Sequence, residues 1–259
     1  MEPTVTIVTF LIAVPACMLG GLLNAISGGG GFITIPALML AGLPPHYALS
    51  TDKIQSVFGM AVASLRFVKR GLIHWKVILP AIPAALIGSG LGTSLVVMVD
   101  AEILSWLLMI ILPIVAYITL SKHFKKAALD SNEPLTTKQR VLTVVFAFII
   151  GAYDGFYGPG SGTFLTIAFT LAVGMGIIRA NAHSKVINLT TNIAAIVVFV
   201  LNGKVLLILA LTCGVANMIG SWIGAGLIMK RSINIARPCI LIALVLLAVK
   251  VVGETLGLF

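Results

Sequence analysis

Charged side chains, acidic ones above all, are scarce in this 259-residue chain. Only 10% of the residues are charged, and 8 acidic residues face 17 lysines and arginines. Because 59% of the residues are hydrophobic and the mean hydropathy is +1.13, too little polar surface remains to cover a water-soluble globule. The composition predicts a polytopic protein embedded in a lipid bilayer. The basic excess lies in short loops beside apolar segments, which indicates membrane topology and argues against nucleic-acid binding.

The sequence also lacks the patterns that metal sites and enzymes require. Cys17, Cys213 and Cys239 are isolated within apolar segments, without CxxC or Cys/His spacing. We therefore expect reduced packing residues, with neither a disulfide nor a metal site. The absence of a nucleophile motif, a metal triad and paired carboxylates argues against an intramembrane enzyme. We expect no catalytic residue and no cofactor.

The long apolar runs predict an all-α fold, because they lack the strict alternation of barrel strands. Glycine-interrupted helical hairpins are expected at 4–42 and 140–176, which gives about ten helical segments when each hairpin counts as two pieces. Uninterrupted spans are expected at 47–68, 76–98, 102–121, 179–201, 204–229 and 236–253.

The chain carries an internal duplication. A polar residue, a glycine run and an apolar half-helix occur at Asn24–Ile35 and again at Asp154–Ile167. Glycine-broken apolar segments at matching places in two halves are typical of a transporter binding site. The duplication divides the chain into a first membrane repeat (1–121), a cytoplasmic linker (122–139) and a second membrane repeat (140–259). Further matching pairs are Ala48–Lys53 with Ala180–Lys185, and Ile87–Leu95 with Ile219–Leu227.

Loop charge predicts the orientation of the two repeats. By the positive-inside bias, the basic loops at 66–76, 122–140 and 230–237 face the cytoplasm, and both ends of the chain lie outside. The first of these loops corresponds to 198–208 in the second half, which is then external, so the repeats are expected to be inverted about an axis in the membrane plane. Each repeat would contain one broken hairpin and three transmembrane helices. We expect the breaks near the midplane, because their second arms are short.

The glycine runs Gly28–Gly31 and Gly158–Gly162 are the first candidate site. Backbone amides at membrane depth are costly unless they line a cavity or find a partner. Each run also opens a half-helix whose positive dipole end favours an anion. The alternative is a kink that allows close helix packing. Packing is the role expected for the small-residue ridges Ala84-Gly88-Gly92 and Ala216-Gly220-Gly224.

Two lysines occupy equivalent positions in the repeats. Lys53 and Lys185 lie about two turns into their spans, roughly 9 Å below opposite faces. They either reach inward to neutralise an anion or snorkel to the nearer interface. Lys185, Asn188 and Asn192 share one helix face, although such polar residues also join helices by hydrogen bonds.

Two residues are candidates for proton coupling. Asp154 is one of two acids within the spans and has the neutral Asn24 as its counterpart. It either carries a proton or caps the amides of a half-helix. His183 is the second candidate. The other acid, Asp52, is adjacent to Lys53 and offers it a pairing partner.

These motifs resemble the TauE/SafE family of sulfite and sulfonate exporters. The resemblance rests on both glycine motifs and on Gly88-Ser-Gly-Leu-Gly92 and Gly220-Ser-Trp-Ile-Gly224. It implies a bacterial inner-membrane permease that exports sulfite, a small organosulfonate or a related oxidised-sulfur anion. The second motif departs from a plain glycine run through Pro159 and Ser161, so the two gates are expected to differ.

The physical reading and the resemblance agree on a small anion held by half-helix amides, serine and threonine hydroxyls and one or two lysines. We expect transport by alternating access, coupled to protons. A passive anion channel and an uptake permease for another small anion are the alternatives, and a homodimer is left open. The expected substrate-binding residues are Asn24, Ser27, Gly28, Gly29, Gly30, Gly31, Lys53, Gln55, Tyr157, Gly158, Gly160, Ser161, Gly162, Lys185, Asn188 and Asn192.

Overall fold

The computed structural model describes residues 5–96, 135–203 and 205–231. Within these ranges every regular element is helical, which confirms the predicted all-α class. The expected spans at 102–121 and 236–253, Cys239, most of the linker and both chain ends lie outside the described residues.

Nine helices make up the described part of the chain. Four of them, at Ile7–Ser27, Thr137–Phe156, Ile177–Leu201 and Leu207–Lys230, are long and apolar enough to cross a membrane. The helices are α1 (Ile7–Ser27), α2 (Gly31–Leu40), α3 (Pro45–Lys69), α4 (Trp75–Ile78), α5 (Ala81–Val96), α6 (Thr137–Phe156), α7 (Ser161–Leu171), α8 (Ile177–Leu201) and α9 (Leu207–Arg231).

The two broken hairpins are present where the sequence predicts them. In each, a long first arm (α1 or α6) is followed by a glycine break and a short second arm (α2 or α7). The second arms have 10 and 11 residues, or about 15 Å of helix, which is half of the hydrocarbon core. Both first arms start at a threonine capping box, with Thr6 before α1 and Thr136 before α6.

The span expected at 76–98 is divided in the structure. The short helix α4 ends at Ile78, and α5 begins at Ala81 after a turn at Leu79 and Pro80. Pro80 has no backbone N–H to donate to a continuing helix. The predicted single span is therefore wrong at its start, and the structure supplies a short helix followed by a 16-residue one.

Each half of the chain packs its long hairpin arm against a helix of the other half. The principal contacts are α1 with α9 and α5 with α6. On α9, Gly220 and Gly224 lie against the backbone carbonyls of Met18 and Leu22, so close that a Cβ would overlap them. Gly88 and Gly92 of α5 lie in the same way against the carbonyls of Phe148 and Ala152 on α6. The small-residue ridges thus act as packing surfaces, as predicted, and they interlock the two halves.

Cys17 and Cys213 lie at one of these contacts. Both are buried free thiols, on α1 and α9, in a small apolar cluster with Leu38, Tyr47 and Leu209. This is the packing role expected for them.

Candidate functional site

The glycine breaks of the two hairpins meet at the centre of the fold. A Cβ on Gly162, at the start of α7, would lie 2.7 Å from Cα of Gly28, at the end of α1. The Thr163 hydroxyl donates a hydrogen bond to the Ser27 carbonyl at 2.8 Å. The two breaks therefore contact one another, and neither position accepts a larger residue without displacing the other hairpin.

The backbone at the breaks requires glycine. Gly28, Gly158 and Gly160 have φ of 87°, 99° and 84°, in the left-handed region where a Cβ is strained. These conformations end α1, turn the chain and start α7. The half-helices α2 and α7 consequently begin beside one another, with their positive dipole ends at the junction.

A buried ion pair lies next to this junction. Lys53 Nζ on α3 is 2.9 Å from Oδ1 of Asp154 and donates to its backbone carbonyl at 2.6 Å. The carboxylate also accepts hydrogen bonds from the hydroxyls of Ser161, at 2.7 Å, and Thr191. Asp154 thus ties α3, α7 and α8 to α6, and Lys53 points inward instead of snorkelling to an interface.

The neighbouring acid does not pair with Lys53. The Asp52 carboxylate accepts from the Thr34 hydroxyl and from Nε2 of Gln55, the latter at 2.9 Å. The Gln55 carbonyl oxygen in turn accepts from Asn217 on α9. Gln55 is therefore engaged in orienting Asp52 and joining α3 to α9.

The second lysine has a different environment. Lys185 on α8 is completely buried, and among the described residues its ammonium has no hydrogen-bond partner. A Cβ on Gly162 would lie 3.2 Å from Nζ of Lys185. The side-chain amide of Asn188, one turn further along, is likewise buried and without a partner in the described part of the chain. An ammonium and an amide are thus directed at the hairpin junction with unused hydrogen-bonding capacity.

The junction encloses a cavity of about 20 Å³. This volume holds about one water molecule. The cavity is polar on most sides, and ten of the expected substrate-binding or coupling residues line it, with Asp52, Ser56 and Met60 in addition. The ten are Asn24, Gly28, Gly31, Lys53, Asp154, Gly158, Gly160, Ser161, Asn188 and Asn192.

This cavity is not lined by Gln55, Gly162, Lys185 or the other remaining predicted site residues. Ser27, Gly29 and Gly30 are buried in the first break, where the Ser27 hydroxyl donates to the Leu23 carbonyl and Gly30 packs against Gly20. Tyr157 is only partly buried and packs against the apolar core.

His183 holds a loop in place at one end of α8. Its Nε2 accepts from the His74 backbone N–H at 3.1 Å, so Nδ1 must donate to the Arg179 carbonyl at 2.8 Å. Both ring nitrogens are thus used by backbone groups, and His183 does not line the central cavity. The contact braces the loop between α3 and α4 against α8.

Two residues that form polar contacts at the site, Met60 and Asn217, were not foreseen. Met60 lines the cavity and its sulfur accepts from Asn192 at 3.2 Å. Asn217 bonds to Gln55 and, at 3.0 Å, accepts from Ser221. Ser56 and Met60 follow Asp52 at intervals of four residues, so this helix face was visible in the sequence, whereas Asn217 had no counterpart to mark it.

Two broken helices that meet at a buried polar cavity, between long apolar helices of interlocked halves, define a membrane transporter. A family model described as "Sulfite exporter TauE/SafE" matches residues 13–251. The chain belongs to this family, which confirms the resemblance drawn from the glycine motifs.

Curated relatives resemble the chain over nearly its full length. It is 33% identical over 261 residues to "Probable membrane transporter protein YfcA" of Escherichia coli strain K12, covering 99% of this chain and 93% of that protein. It is 32% identical over 240 residues to "Probable membrane transporter protein ORF9" of Sinorhizobium, covering 92% and 90%. A "Probable membrane transporter protein YdhB" of Bacillus subtilis is 27% identical over 222 residues, with 83% and 88% covered.

Proposed function

We propose that this protein is a secondary transporter that exports a small sulfur-containing anion, sulfite or an organosulfonate, across the bacterial inner membrane by proton-coupled alternating access. The observation that carries the proposal is Lys185. It is completely buried beside Gly162, and its ammonium has no hydrogen-bond partner among the described residues. A buried ammonium is costly unless an anion compensates it.

The surroundings of Lys185 fit an oxyanion. The Asn188 amide adds a neutral donor without a partner in the described ranges, and the N-terminus of α7 adds a positive dipole end. Since the charge of Lys53 is already compensated by Asp154, Lys185 is the cation available to the substrate. A sulfite or sulfonate group presents three oxygens, which suits donors arriving from several directions.

The size of the cavity supports alternating access over an open pore. At about 20 Å³ the junction is closed to any oxyanion, so transport needs the hairpins to separate. The reciprocal packing of α1 on α9 and α5 on α6 supports an inverted-repeat architecture, in which one repeat rocks against the other. A passive channel would need a continuous conducting path through this centre.

The ion pair supports coupling to protons. An anion that enters beside Lys185 also attracts Lys53 and weakens its hold on Asp154. A carboxylate that loses its ammonium partner in this way is available to take up a proton. Substrate binding and protonation of Asp154 would then be linked, as proton-coupled transport requires.

The test is flux in proteoliposomes with sulfite, methanesulfonate and sulfate, with and without a pH gradient. Lys185→Met keeps the volume of the side chain and removes its charge, and Lys76→Met, at an exposed lysine, is the matched control. We expect gradient-driven flux of a sulfur anion in the wild type and the control, reduced about tenfold or more in Lys185→Met because a charged hydrogen bond is lost. Equal flux in all three proteins would refute the role of Lys185, and current that ignores the pH gradient would favour the channel.

A further inference from the structure

A second cavity, of about 280 Å³, lies away from the hairpin junction, between the end of α3, the start of α8 and the end of α9. Its described lining contains three cations and no carboxylate. The lining residues are Arg66, Arg70, Leu72, Ile178, Gly226, Met229 and Lys230.

Arg66 is fixed in position at this cavity. Its guanidinium lies over the Trp222 ring, 4.4 Å from the ring centroid, and Nη1 donates to the Trp222 carbonyl. Gly226 makes room for it, because a Cβ there would lie 2.9 Å from Nη1 and from Nη2. A guanidinium has five N–H donors. Because the Arg66 guanidinium donates to the Trp222 carbonyl through Nη1, it retains further donors for a ligand.

The cavity borders the surface that faces lipid. Trp222 and Leu65, which flank Arg66, are 57% and 53% exposed, and in a membrane protein such apolar side chains contact acyl chains. Leu72, Ile178 and Met229 continue the apolar surface into the cavity. A ligand for this place combines an anionic group with an apolar body.

We propose that this cavity binds the phosphate headgroup of an anionic phospholipid in the cytoplasmic leaflet. Basic pockets between transmembrane helices on the cytoplasmic side commonly hold such headgroups. The positive-inside bias of the loops after α3 and α9 assigns the cavity to that side. A volume just below the usual range for small ligands, about 300–1,000 Å³, accepts a headgroup and leaves the acyl chains outside.

A bound headgroup would join helices that the central site also uses. Arg66 and Arg70 end the helix that carries Lys53, and Lys230 belongs to α9. The lipid would therefore hold α3 against α9 and raise the thermal stability of the protein. This site is separate from the substrate cavity and does not depend on the identity of the transported anion.

The test compares lipid binding of the purified full chain by native mass spectrometry and thermal unfolding in detergent, with phosphatidylglycerol or phosphatidylcholine added. The variant Arg70→Gln/Lys230→Gln removes two cations of the cavity, whereas Lys69→Gln/Lys76→Gln removes two exposed cations outside it. We leave Arg66 unchanged because its contact with Trp222 contributes to folding.

We expect phosphatidylglycerol to be retained and to stabilise the wild type and the Lys69/Lys76 control, with affinity about tenfold or more lower in the Arg70/Lys230 variant. Equal retention of phosphatidylcholine and phosphatidylglycerol would overturn the proposal. An equal loss of phosphatidylglycerol affinity in both variants would also overturn it, because general surface electrostatics would then explain the binding. If inorganic phosphate or sulfite alone, at matched concentration, raised the thermal stability equally, the ligand would be a free anion and the proposal of a lipid would be wrong.

Discussion

Lys53 donates to both the carboxylate and the backbone carbonyl of Asp154, which lies 101 positions further along the chain. The pair joins a long helix of the first half to the glycine break of the second. Since the break and the carboxylate adjoin one another, any movement of the second hairpin must either carry Lys53 with it or break this contact.

Replacing the carboxylate tests the ion pair directly. Asp154→Asn leaves the Lys53 ammonium buried without a counterion, so we expect a loss of about 3–5 kcal/mol in the free energy of unfolding. The measurement is denaturant or thermal unfolding of the purified variant. Lys53→Met in the same background should recover much of the loss, and a double variant as unstable as the single one would contradict this account.

The double variant separates proton coupling from anion binding. If Asp154 carries the coupled proton, Lys53→Met/Asp154→Asn should move its anion equally with and without a pH gradient. Flux is measured in proteoliposomes at matched protein content. If the flux of this variant still responded fully to the pH gradient, a group other than Asp154 would carry the coupled proton.

The contact between the hairpin breaks predicts a low tolerance for a methyl group. Gly162→Ala places a Cβ against Gly28 and Asn188, and we expect a loss of stability of about 1–3 kcal/mol together with a loss of flux. Gly90→Ala on α5 is the matched control, because a Cβ there meets nothing within 4 Å. Equal behaviour of the two variants would show that the breaks do not touch.

Substitution of His183 distinguishes a structural role from a role as a proton relay. Its two ring nitrogens are occupied by the His74 N–H and the Arg179 carbonyl, so we expect His183→Ala to lower thermal stability and to leave the pH dependence of flux unchanged. Flux is measured from weakly acidic to neutral pH. A flattened pH profile with unchanged stability would make His183 the relay that the sequence allowed.

The glycine runs and the apolar spacing predicted the broken hairpins, because both are local properties of the chain. The partner of Lys53 was not predictable in this way. Adjacent residues on a helix point in different directions, so Asp52 turns towards Thr34 and Gln55 while Lys53 reaches Asp154. Packing decides which distant segments contact one another, and the local sequence pattern does not predict these contacts.

The sequence of the two repeats nevertheless indicates a difference between Lys53 and Lys185. Aligning the halves makes Asn24 the counterpart of Asp154, so the residue that would compensate Lys185 by symmetry is neutral. In the structure, the ammonium of Lys185 has no hydrogen-bond partner among the described residues. This departure from internal symmetry distinguishes Lys185, the cation that we propose for the substrate, from Lys53.

The interlocked halves have a consequence for the biosynthesis of the protein. The Ser221 hydroxyl bonds to the Gly21 carbonyl across 200 positions, and the same face of α1 receives Gly220 and Gly224. At roughly 5–20 residues per second, a ribosome takes about 10–40 s to synthesise the intervening chain. The first helix therefore enters the bilayer long before its packing partner exists, and during that interval lipid or the insertion machinery must cover the surface that α9 later occupies.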